Sequence, residues 1–99
     1  MKGESMPTYV MISKLTNEGR KKIKNNPERI REVDKEIEKM GAKVIAQYAT
    51  LGMYDFLSIV EAPDNETIAR VSTELGARGT VEIMTLSAIP IFEFMEKMR

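Results

Sequence analysis

Residues 51–66 read LGMYDFLSIVEAPDNE. The segment holds a glycine suited to a turn, then a β-forming run from Tyr54 to Ala62. Pro63 cannot donate to a strand ladder and ends the run, and Asp64 is suited to cap a helix. Immediately upstream, KVIAQYAT (43–50) is a second β-rich run, which leaves only LGM as the connection. That is hairpin length, with Gly52 free to take a positive φ. Downstream, Ile68, Val71 and Leu75 fall on one side of a helix that stops at GARG (76–79), and TVEIMTLSAI (80–89) is read as a further strand.

Toward the N-terminus, TYVMISKL (8–15) is apolar at both parities and suits a central strand. Thr16 can cap a short helical turn running through Lys24. In NNPERIREVDKEIEKMG (25–41), Asn26 is placed to cap, Pro27 to occupy the first helical position and Gly41 to stop the helix. Ile30, Val33, Ile37 and Met40 form its apolar stripe, while Arg29–Glu32, Glu32–Lys35 and Glu36–Lys39 alternate in sign on the solvated face. Residues 91–98 are read as a closing helix with Ile91, Phe94, Met95 and Met98 on one face.

The predicted order is β-α-β-β-α-β plus that helix, an α+β, ferredoxin-like arrangement with an antiparallel sheet and both crossover helices on one face. Residues 7–99 are expected to form a single domain, including the C-terminal helix 91–98, behind a loose tail at 1–6. Every strand is apolar at both parities: Val44, Ala46 and Tyr48 against Ile45 and Ala49, Phe56 and Val60 against Leu57 and Ile59, Val81 and Ile83 against Met84, Leu86 and Ala88. A sheet wet on one side should alternate apolar and polar residues. The second face is therefore expected to be covered, most economically by a second copy packed sheet to sheet.

The 99 residues fit one domain with a modest core. Fifteen basic and fifteen acidic residues cancel, so the positive field usual for nucleic-acid binding is lacking. With no cysteine there are no disulfides or thiolates; with no histidine the commonest general base and metal ligand is missing. No cofactor and no structural transition-metal site are expected. No run approaches the roughly 20 apolar residues that span a bilayer, and no secretory leader is evident, so a cytoplasmic protein without membrane contact is expected.

Gly52, Tyr54 and Asp55 in a Gly-x-Tyr-Asp form, with SKLTNEG before them and GTVEIMTLSA after, resemble the GYD domain family. The likeness covers most of residues 8–90, and Glu61–Asp64 adds to its specificity. It implies a ferredoxin-like protomer of the dimeric α/β-barrel type, in a family largely without an assigned activity.

Two readings of Asp55 stand side by side. In one, Asp55 accepts backbone N–H bonds and Gly52 shapes the turn, a structural hairpin pair. In the other, Asp55 lies in a cleft where burial raises its pKa. Placed in one strand, Tyr54 and Asp55 would point to opposite faces and could not act as one acid/base couple. The candidate catalytic residues are Tyr54, Asp55 and Tyr48; the candidate ligand-binding residues are Tyr9, Tyr48, Tyr54 and Asp55, with the tyrosines equally explained as core side chains. Glu61 and Glu82 are candidates to share a sheet face, where paired carboxylates could do acid/base work or bind a hard cation. Arg70 and Arg78 could hold an anion. The basic GRKKIKNN (19–26) reads as a solvated helix face, and LGARGT lacks the lysine and following helix of a phosphate loop.

An RNA-recognition domain shares the strand order, but Asp55 would repel phosphate beside a stacking platform, and no Lys-Gly or Arg-Gly precedes Tyr54. The expected protein is a homodimer that binds itself and a small, largely apolar molecule, as a ligand-binding or assembly module without catalysis. The alternative is a cofactor-independent oxygenase or isomerase.

Overall fold

In the computed structural model, which describes residues 6–99, the elements follow as β1 (Thr8–Leu15), α1 (Asn17–Asn25), α2 (Arg29–Lys39), β2 (Lys43–Ala49), β3 (Phe56–Glu61), α3 (Asn65–Gly76), β4 (Val81–Ala88) and α4 (Ile91–Met98). The loose tail expected at 1–6 falls outside the described residues except for Met6. The strands form one antiparallel sheet in the order β2-β3-β1-β4, the ferredoxin-like βαββαβ topology.

Side-chain caps start α1 and α3. Thr16 caps α1, its hydroxyl accepting from the Gly19 N–H at 3.1 Å. The Asp64 carboxylate caps α3, accepting from the Thr67 N–H at 2.8 Å. At α2 the expectation fails: the cap position is Glu28, no side chain bonds the free amides, and Asn26 contributes only its backbone carbonyl, 3.0 Å from Arg29 N. Pro27 lies in the turn before the helix rather than at its first position.

Tyr9, Met11, Ile37, Val60, Ile68, Val71 and Leu75 are buried between the sheet and α2 and α3. The joint between α1 and β4 is closer still. Thr16 N–H donates to the Thr80 carbonyl at 3.0 Å, and the Thr16 hydroxyl donates to the Gly79 carbonyl at 2.8 Å. A Cβ on Gly19 would sit 2.0 Å from the Thr80 carbonyl oxygen, so only glycine lets the helix start pass over this strand.

Two expectations about β2 and β3 need correction. The third strand starts at Phe56 rather than Tyr54, so Tyr54 and Asp55 lie in the loop and strand alternation does not govern their directions. The register slips between Val44 and Ala46, a bulge at Ile45. Val44 therefore lies opposite Val60 on the helix face, whereas Ala46 and Tyr48, opposite Ile59 and Leu57, belong to the other face.

Candidate functional site

The side of the sheet away from α1–α3 carries two complete apolar rows. Ala46, Ile59, Val10 and Leu86 lie side by side across the four strands, and Tyr48, Leu57, Ile12 and Met84 form the next row. Tyr48 is 59% exposed, Met84 46% and Leu86 44%. Charged register partners bracket the rows: Lys43 opposite Glu61 on one side, Lys14 opposite Glu82 on the other. An apolar centre inside a charged rim is the composition of an interface. Glu61 and Glu82 share this face as expected, but Thr8 and Lys14, their neighbours on β1, are separated by about 20 Å of strand, so the two carboxylates do not form a pair.

On the opposite side, between the sheet and α1 and α2, is a cavity of about 450 Å³. Its walls are mainly apolar, with Ile23, Val33, Ile37 and Phe56 among them. The opening has a local cause: Ser13, Ala49, Ser58 and Gly19 occupy lining positions where larger side chains would fill the core. Charged groups also stand at its wall, the exposed Lys22 among them. Asp34 accepts from Gln47 Nε2 at 3.0 Å, and burial, opposed by that hydrogen bond, raises its carboxyl above the ordinary range. Arg29 and Arg78 are tied to Glu36 at 3.6 and 2.6 Å, and the hydrogen bond from Arg78 chiefly holds the Glu36 carboxyl below its ordinary value.

The sequence candidates do not converge. Tyr9 is buried, and its hydroxyl donates to Asn65 Oδ1 at 2.6 Å beside α3. Tyr54 is half-buried in the loop, where its carbonyl accepts from the Thr50 hydroxyl at 2.8 Å. The Asp55 carboxylate accepts from the Leu15 N–H at 2.7 Å and lies 3.7 Å from Arg20. Of the four, only Tyr48 borders the cavity. Gly52 has φ 105°, a backbone position favouring glycine. Asp34 and Gln47 were not singled out from the sequence. The signal was available, because Asp34 is four residues after Ile30 and interrupts the apolar side of α2.

Helix α4 stands apart. None of its residues is buried, and Ile91, Phe92 and Met98 are 64, 78 and 67% exposed. Among the described residues no helix is long and apolar enough to cross a membrane.

Comparison with known proteins places these features in a family. A protein of Thermus thermophilus, named a glutamine synthetase and cystathionine beta-lyase binding protein, is 46% identical over 95 residues, covering 95% of this chain and 100% of its own. The crystal structure of MtbAldR superimposes with a TM-score of 0.64 at 28% identity over 87% of this chain; the match spans 54% of that chain, about half its length. The GYD domain profile matches residues 9–98, and the chain belongs to the GYD domain family.

Proposed function

We propose that this chain is a binding protein without catalysis, a homodimer joined sheet to sheet that docks on a larger enzyme. The observation that carries the reading is the pair of apolar rows across the uncovered sheet face, closed by a charged rim. Packing two such faces removes the apolar rows from water and lets Lys14, Lys43, Glu61 and Glu82 stay at the wet margin. The docking element is α4, whose Ile91, Phe94, Met95 and Met98 stripe has nothing to bury it within the protomer. The enzyme is of the kind named for the Thermus relative, glutamine synthetase or cystathionine beta-lyase.

The test pairs light scattering with binding to both purified enzymes from the same organism. The wild-type protein is expected to be a dimer and to bind at least one of them. Phe94→Glu should abolish enzyme binding and leave the dimer intact. Binding of neither enzyme, or a stable monomer at micromolar concentration, would overturn the proposal.

The reading as a cofactor-independent oxygenase or isomerase has one observation in its favour, a partly desolvated carboxyl at Asp34 on the cavity wall. Its weakness is chemical. Gln47 occupies that carboxyl, Tyr54 and Asp55 lie away from the cavity, and Tyr48, the one candidate at its wall, belongs to the opposite sheet face and is exposed.

A further inference from the structure

We infer that the cavity between the sheet and α1–α2 is a binding site for a small, uncharged, largely apolar molecule carrying one hydrogen-bonding oxygen, such as a phenol. This site lies on the other side of the sheet from the proposed dimer face, with only Tyr48 in common, and away from α4, and it is tested independently of both.

The argument begins with volume. About 450 Å³ lies within the range of pockets that hold small organic ligands. Protein interiors are normally packed without such space. The space follows from particular residues: Ser13 on β1, Ala49 on β2 and Ser58 on β3 all face α1 and α2, and all are small. A leucine at any of these would narrow the gap. The walls supplied by Ile23, Val33, Ile37 and Phe56 are apolar, which suits a hydrocarbon or aromatic body better than water.

The polar groups then limit the ligand's charge. Of the charged side chains bordering the cavity, Arg29 and Arg78 are tied to Glu36 and Asp34 to Gln47, while the Lys22 side chain is exposed to solvent. Facing the interior are hydroxyls instead. Ser58 is buried and receives only a long 3.4 Å contact from Gln47 Nε2. Ser13 lines the same floor, its backbone held by the 2.8 Å bond from Asp55 N–H to its carbonyl. An ionised ligand seated against these serines would give up its hydration there, and the solvated Lys22 ammonium offers a carboxylate only a screened attraction in return. A neutral hydroxyl or carbonyl can exchange water for a serine hydroxyl at little loss.

The test uses the full chain and three probes of similar size: 4-methylphenol, toluene and benzoate. In two-dimensional NMR titrations, 4-methylphenol is expected to saturate, shifting the amides of Ser13, Val33, Phe56 and Ser58. Toluene, lacking the oxygen, and benzoate, carrying charge, should each bind about tenfold more weakly. Ser13→Ala, which leaves the cavity its size, should narrow the preference for 4-methylphenol over toluene. Ser58→Leu, which puts a branched side chain on the cavity floor in place of the buried hydroxyl, should weaken binding of all three without lowering the melting temperature. If Ser58→Leu does not fold, the Ser13→Ala preference decides. Shifts confined to Val10, Leu57 and Leu86 would mean adsorption on the open sheet face and would overturn the inference. So would an absence of saturable binding, or equal affinity for the three probes.

Discussion

The Asp55 carboxylate accepts the Leu15 backbone N–H at 2.7 Å, closing the last amide of β1 from the loop that precedes β3. The same residue donates its own N–H to the Ser13 carbonyl and accepts from Thr50 N–H at its carbonyl, each at 2.8 Å. One residue thus ties the ends of three strands. Asp55→Asn keeps an acceptor oxygen and should change stability little. Asp55→Ala leaves a partly buried amide unpaired and should cost about 1–3 kcal/mol. Urea unfolding of both variants checks this; equal stability of Asp55→Ala and wild type would remove the structural role.

Gly19 and Gly52 should respond to alanine differently, because one lacks room and the other lacks only a favoured φ. At Gly19 the added Cβ meets the Thr80 backbone carbonyl at 2.0 Å, and neither backbone can yield cheaply. At Gly52 the added atom meets nothing within 4 Å, leaving the strain of φ 105°. Gly52→Ala should cost about 1–2 kcal/mol and Gly19→Ala more than that. Denaturant midpoints in the reverse order would show that the α1–β4 joint opens easily.

Leu57 stands near the middle of the apolar rows, between Tyr48 on β2 and Ile12 on β1. Leu57→Lys places a charge at the centre of the proposed interface, where its desolvation would be uncompensated. Sedimentation should show a dimer for wild type and a monomer for the variant, with an unchanged far-ultraviolet circular dichroism spectrum. A wild-type interface should bury more than about 2,000 Å² in total, the range of obligate dimers. Dimers of undiminished affinity in Leu57→Lys would place the contact elsewhere.

Asp34 predicts a pH dependence of definite sign. Its folded pKa is raised above the model-compound value of 3.8, chiefly by burial. Between that value and the raised one the folded state holds more protons than the unfolded, so this group makes stability fall as pH rises through the folded pKa. Asp34→Asn retains the acceptor for Gln47 and removes the charge. It should raise the melting temperature at pH 7, with the gain vanishing as pH falls below 3.8. Glu36 works the other way: its lowered pKa gives stability above 4.5 that is lost as pH falls through the folded value, and Arg78→Gln should weaken this dependence.

The strand order and the second apolar face were legible because both rest on periodicity, which the sheet obeys almost everywhere. Thr16 and Asp64 announced their helices through short-range capping chemistry. The errors arose where geometry depends on distant partners. Tyr54 and Asp55 have β-like surroundings in sequence, yet Asp55 turns its carboxylate to Leu15, forty positions away. The bulge at Ile45 inverts the facing of everything after it in β2, and nothing in KVIAQYAT marks the slip. The cavity was hidden for a related reason: Ser13, Ala49 and Ser58 are unremarkable alone, and only the register brings them onto one floor.

That bulge also bears on how copies of the chain can join. Among the described residues β2 is an edge strand paired with β3 alone, as β4 at the other edge is paired with β1 alone. A straight free edge invites another strand to add to it, and then another. At Ile45 the ladder spacing is broken, and exposed Lys43 stands just before it. An incoming strand would lose register after two residues and meet a charge. Growth along this edge is therefore disfavoured, while face-to-face contact is unaffected. Face-to-face association of the proposed kind ends when the two apolar surfaces are used up, so crowding the protein should not lengthen the sheet beyond its β2 edge.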